Sequence, residues 1–114
     1  MNFDLYNITQ NELVIKDVCV ASSFWLRFIG LMFRESTAPY GGLVFYRSGG
    51  IHTCFMRFAL DIVFVDCGMK VTRVFTGVKP FRAVFCPGAY AAIEFKSGSA
   101  KSINRGDILE FKNG

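Results

Sequence analysis

Short apolar runs, cut by turn-forming residues about every ten positions, constrain the fold of this chain more than any other feature. Pro39-Tyr40-Gly41-Gly42, Ser48-Gly49-Gly50, Asp66-Cys67-Gly68 and Asn104-Arg105-Gly106 are turn clusters. In each, glycine reaches backbone angles closed to other residues, while Asn, Asp or Ser closes the turn through a local hydrogen bond. Between the clusters lie strand-length segments at 43–46, 51–58, 61–65, 70–76, 81–85, 90–95 and 107–111, with two more at 3–8 and 13–20. The pattern predicts a mainly β chain, a small β-sandwich or open barrel of short antiparallel strands. Pro80 limits pairing ahead of 81–85, and a short helical turn is expected over 99–103.

One segment breaks the β pattern and adds a minor α component. Ser22 or Ser23 can cap a helix by accepting a hydrogen bond from its first free N–H groups. The run 24–33 that follows is apolar except for Arg27 and Gly30, which align with Ser23 and Arg34 at spacings of four, three and four. One α-helix near residues 22–34 is therefore expected. Being apolar around most of its circumference, it needs cover on more than one side, from a sheet or from another subunit.

Composition decides which classes of protein remain. The chain has 114 residues, 52% of them hydrophobic and only 19% charged, which excludes disorder and supports one domain spanning 1–114. Arg27, Arg34 and Arg47 interrupt the richest apolar stretch, so no segment approaches the ~20 residues of a membrane span. The amino terminus shows no basic segment leading into an apolar one, so no secretory signal is read there. A cytoplasmic location with reduced thiols is expected. Cys19, Cys54, Cys67 and Cys86 form no C-x-x-C pair and only His52 could join them, so neither a metal site nor a cofactor is expected. A net charge of +4 is modest. Lys70, Arg73, Lys79 and Arg82, interleaved with Phe75 and Phe81, read more simply as a solvated sheet edge than as a nucleic-acid surface.

Five ordered motifs resemble those of one family. Arg27-Phe28-Ile29-Gly30-Leu31-Met32-Phe33-Arg34 is similar to R-x-x-G-L-M-x-R, and the segment from Ile51 to Asp66 to I-H-T-x-F-M-R-F-P-I-D-V-V-F-L-D. Lys79-Pro80-Phe81-Arg82 is similar to K-P-W-R, Glu94 to the Glu of an L-E-L strand, and Gly106-Asp107 to a closing G-D. Together, from Arg27 to Phe111, they resemble the bacterial and archaeal domain of unknown function 192. Ala59 stands where that family carries Pro, and Phe81 where it carries Trp. The resemblance implies a small β-sandwich-like domain with one helix, and implies no settled activity.

The polar residues of the central segment are the site candidates. Along a straight strand Arg57 and Asp61 lie about 13 Å apart, so they meet only if the chain folds back around Ala59. A guanidinium and carboxylate brought together there would form a bidentate pair that either fixes the turn or presents a planar donor fork to a small anionic ligand. His52, Glu94 and Asp107 are expected as further walls of that patch. The leading reading is a small ligand-binding or accessory β domain using Arg57, Asp61, His52, Glu94 and Asp107. One alternative is an oligomeric interaction module, such as a homodimer, suggested by thirteen Phe and the apolar helix. The other is a hydrolase-like enzyme using His52 and a carboxylate. The residues supply no nucleophile motif for that: Thr53 faces away from His52, and Cys54 at i+2 on a flat strand is too distant for a direct hydrogen bond.

Overall fold

The computed structural model describes residues 2–20, 41–52 and 58–113. The expected helix at 22–34, together with Thr53, Cys54 and Arg57, lies outside the described residues. Nine strands follow one another: β1 (Asn2–Asn7), β2 (Glu12–Val20), β3 (Gly42–Tyr46), β4 (Gly50–His52), β5 (Leu60–Val65), β6 (Val71–Val78), β7 (Ala83–Phe85), β8 (Ala91–Lys96) and β9 (Leu109–Asn113). Each expected strand segment is matched by one of them. β7 and β9 begin two residues later than the pattern suggested, and β4 is described only over its first three residues. The stretch 99–103 forms a turn closed by the Ile103 N–H donating to the Ala100 carbonyl at 3.0 Å.

Seven strands make one curled sheet in the order β6-β5-β8-β3-β2-β1-β9, and β4 pairs with β7 as a separate two-stranded ribbon. All pairings are antiparallel except β2 with β3. A parallel neighbour needs a crossover of a dozen or more residues, which residues 21–41 are long enough to provide. The outer strands approach each other at one end of the sheet. Lys70 and Ile108 form a bridge there. The Val71 N–H donates to the Asp107 carbonyl at 2.8 Å, Gly106 N–H to the Val71 carbonyl at 2.8 Å, and Leu109 N–H to the Met69 carbonyl at 3.0 Å. The architecture is thus an open barrel with a short seam.

Alternation along the strands sends side chains to two separate cores. Leu5, Val18, Val44, Val63, Val65, Val71, Ile93, Phe95, Ile103 and Leu109 fill the barrel interior. Leu43, Phe45, Leu60, Ile62, Phe64 and Ala92 cover its outer face, where Ile51, Val84 and Cys86 of the ribbon segments pack onto them. β5 is buried at every position because it serves both cores, which explains why it is apolar at all positions but Asp61. Each Val, Ile or Phe enclosed there contributes about 1.5–3 kcal/mol. β6, at the sheet edge, is buried only at Val71 and half-buried or exposed at its other positions.

Candidate functional site

Three carboxyl groups are buried: Asp61, Glu94 and Asp107. Register separates the first two. Asp61 pairs with Phe95, and Ile62 with Glu94, so Asp61 faces the barrel interior and Glu94 its outer face.

Asp61 sits at the start of β5 with no exposed surface. Its Oδ1 accepts a hydrogen bond from the Gly77 N–H at 2.9 Å, and its Oδ2 from the N–H groups of Gly98 at 2.9 Å and Ala100 at 3.0 Å. Gly77 and Gly98 have φ of +60° and +97°, which orient their amides at a cost that only glycine avoids. Three amide donors give a buried carboxylate the partners it requires. The carboxylate thereby ties the end of β6 and the 97–100 turn to β5. It is an internal anchor and does not reach solvent. Arg57, its expected partner, lies outside the described residues.

Asp107 anchors the opposite end of the fold. Its Oδ2 accepts from Asn7 Nδ2 at 2.8 Å and from the Asn104 N–H at 2.9 Å, and Asn7 Oδ1 accepts from the Gln10 N–H at 3.2 Å. Burial pushes the carboxyl up, but the hydrogen bonds from Asn7, Asn104 and Gln10 outweigh it and hold the group below the ordinary Asp value. The turn leading into β9 is clamped by this means to the turn after β1.

Glu94 differs from both. It lies in the middle of β8, opposite Leu43 of β3 and Ile62 of β5, within a strand otherwise made of Ala, Ile and Phe up to its last residue. It is 5% exposed, and none of the described residues donates a hydrogen bond to its carboxyl. Burial alone pushes its pKa up to about 8, so at neutral pH the group is largely protonated and carries an O–H donor. The outer core around it is the one the β4–β7 ribbon covers. In that ribbon His52 is paired with Ala83, and beyond it the chain rejoins the sheet at Leu60, opposite Lys96 and two residues along β8 from Glu94. Of the expected site residues, the ribbon strand carrying His52 and Glu94 therefore belong to one face of the sheet, whereas Asp61 and Asp107 serve separate structural networks. Among the described residues no cluster of three metal-ligating side chains occurs.

With this geometry in place, comparison with known proteins is decisive at the level of family. The model of domain of unknown function 192 (DUF192), described as an uncharacterized ACR, matches residues 6–111. The chain belongs to the DUF192 family. A UPF0127 protein of Pyrococcus furiosus is 32% identical over 117 residues, covering 94% of this chain and 97% of its own. Another, from Pyrococcus horikoshii, is 36% identical over 95 residues, covering 76% and 78%. Two solved structures share the fold at 20% identity. One, from Sinorhizobium meliloti and described as a candidate transcription regulator, superimposes with a TM-score of 0.80 over 96% of this chain and 92% of that one. The other, a protein of unknown function from Novosphingobium aromaticivorans, gives 0.75 over 96% and 84%.

Several structural roles in this DUF192 domain escaped the sequence pattern. Asn7 is fully buried and holds Asp107, a pairing across 100 residues that no local spacing announces. Gly77 and Gly98 act through their amides, which leave no side-chain signature. Glu94 was marked by its likeness to the Glu of the family's L-E-L strand, and it is also a carboxyl set alone in the apolar run 91–95. Among the described residues no helix is long and apolar enough to cross a membrane.

Proposed function

We propose that this DUF192 domain binds a small organic acid on the outer face of the barrel, with Glu94 as a neutral hydrogen-bond donor and Arg57 as the cation. The observation that carries the reading is the Glu94 carboxyl, buried among Leu43 and Ile62 and protonated at neutral pH. A protonated carboxyl in an apolar setting offers one directional donor and does not repel an anion, as a carboxylate would. Arg57 follows β4 in sequence by five residues and supplies a planar donor fork suited to a carboxylate. The apolar surroundings suit the hydrocarbon body of such a ligand. Asp61, enclosed by its three amides, maintains the frame.

A ligand-observed NMR screen of small carboxylic acids tests this at pH 6 and pH 9. The reading expects binding at pH 6 and at least about tenfold weaker binding at pH 9, where ionised Glu94 repels the anion. Glu94→Gln retains a donor and should bind with no such pH dependence, and Arg57→Ala should not bind. An affinity unchanged between pH 6 and 9 in the native protein, or no acid bound at either, refutes the proposal.

A second reading rests on a separate observation. Phe85 of the ribbon is 62% exposed, and Tyr46 and Tyr90 form a partly exposed edge-to-face pair with centroids 5.5 Å apart. Aromatic groups left at a surface in this way suit a protein interface, including a homodimer. Sedimentation of the native protein and Phe85→Ser decides it: a monomer in both removes the homodimer.

A further inference from the structure

Beside the seam of the barrel lies an open hollow that none of the three buried carboxyls lines. Its volume is about 500 Å³, and Asp66, Lys70, Val71, Thr72, Arg105 and Gly106 line it. That volume falls in the range of small-ligand sites. Lys70 and Arg105 are far apart in sequence and come together because the seam hydrogen bonds fix Met69 and Val71 against Gly106, Asp107 and Leu109. Both cations are exposed, and among the described residues neither forms an ion pair. The lining contains one carboxylate, and it is engaged: Asp66 Oδ1 accepts from the N–H groups of Gly68 at 2.9 Å and Lys70 at 3.0 Å. The Thr72 hydroxyl is likewise committed to the Phe64 carbonyl at 3.1 Å. Besides the second oxygen of Asp66, the charged groups lining the hollow are the Lys70 ammonium and the Arg105 guanidinium, carried on two segments that the seam joins.

We propose that this hollow binds a phosphate-class oxyanion between Lys70 and Arg105. Two like charges fixed across a seam repel each other, and an anion of charge near −2 placed between them removes that repulsion while accepting from both. A tetrahedral oxyanion offers separate oxygens to a point-charge donor and to a forked donor, and carries more charge than a chloride ion. Gly106, with φ of +95°, lines the site with bare backbone and leaves room for the anion. Binding draws the two edges of the barrel together and so stabilises the closed sheet by mass action.

Titration of the labelled protein with inorganic phosphate, followed by amide NMR at constant ionic strength maintained with sodium chloride, tests the site. Saturable shifts are expected at Lys70, Thr72 and Gly106, with a dissociation constant below about 10 mM. Lys70→Ala and Arg105→Ala, both at exposed positions, should each weaken binding about tenfold with the rest of the spectrum unchanged. Asp66→Asn, which keeps the acceptor of the turn and removes a negative charge, should tighten it. A parallel titration with phosphoserine identifies the source: tighter binding than free phosphate indicates an esterified group, and equal or weaker binding the free ion. Shifts reproduced by sodium chloride alone, or an Arg105→Ala protein that binds as the native one does, overturn the proposal. Neither result bears on Glu94, which does not line this hollow.

Discussion

Asp61 and Glu94 are both buried carboxyls on adjacent strands of one sheet, their register positions a single residue apart, yet they face opposite sides and meet opposite environments. Asp61 receives three backbone amides, two of them from glycines in left-handed conformations, and holds the barrel end together. Glu94 has Leu43 and Ile62 as its cross-strand neighbours and stays neutral to about pH 8. Burial by itself does not distinguish a structural acid from a functional one; the supply of donors does. A carboxylate that accepts from three backbone amides has most of its acceptor sites occupied by the fold. A carboxyl enclosed without them costs stability when it ionises, and such a cost persists most readily where the group has another use.

Breaking the comparison starts with the anchor. Asp61→Ala strands three amide donors and should destabilise the domain by on the order of 5 kcal/mol in urea unfolding, with Asp61→Asn intermediate because its NH₂ opposes one donor. A cost below about 1 kcal/mol would mean that the amides find other partners and that the two acids are not so different. Glu94 should show the reverse in its pH dependence. Between about 4.5 and about 8 the folded protein keeps a proton that the unfolded chain has released, so stability falls as pH rises through that window and levels off above it. Glu94→Gln should abolish that slope, gaining on the order of 5 kcal/mol over the native protein at pH 9. Parallel stability–pH curves for the two proteins would place Glu94 with ordinary surface acids.

Asp107 sharpens the contrast from the acid side. Its folded pKa lies below the unfolded value of 3.8, so its contribution is complete above that pH and is lost as pH falls through the lower, folded value. Asp107→Asn should cost about 1–2 kcal/mol at neutral pH and flatten the acid limb of the stability curve. The smallest effect belongs to the ribbon surface: Phe85→Ser should change stability by less than about 0.5 kcal/mol. A larger loss there would show that the ribbon carries more of the fold than its exposure indicates.

The sheet was legible because its signals are local. The turn clusters around Gly50 and Cys67 fall between consecutive strands, that around Arg105 precedes β9, and the short apolar run 62–65 marks a strand. Which of the two expected architectures the strands adopt, sandwich or open barrel, was not legible. It depends on the bridge between Lys70 and Ile108 and on Asn7 reaching Asp107, contacts between distant segments whose partners carry no periodic mark. The site was legible in its residue types but not in its grouping. Asp61, Glu94 and Asp107 stood out as the acids of the family-like motifs, yet pleat parity and register, fixed only in three dimensions, assign them to different places. Of the three, Glu94 alone occupies the outer core covered by the ribbon that carries His52.

The most direct test of that distinction is the carboxyl carbon shift of Glu94, followed by NMR from pH 3 to pH 10 alongside the remaining acids. The account predicts a single titration with its midpoint near 8 for Glu94. A midpoint near the ordinary value of 4.5 would show a charged group at neutral pH and contradict both the dry outer site and the ligand assigned to it.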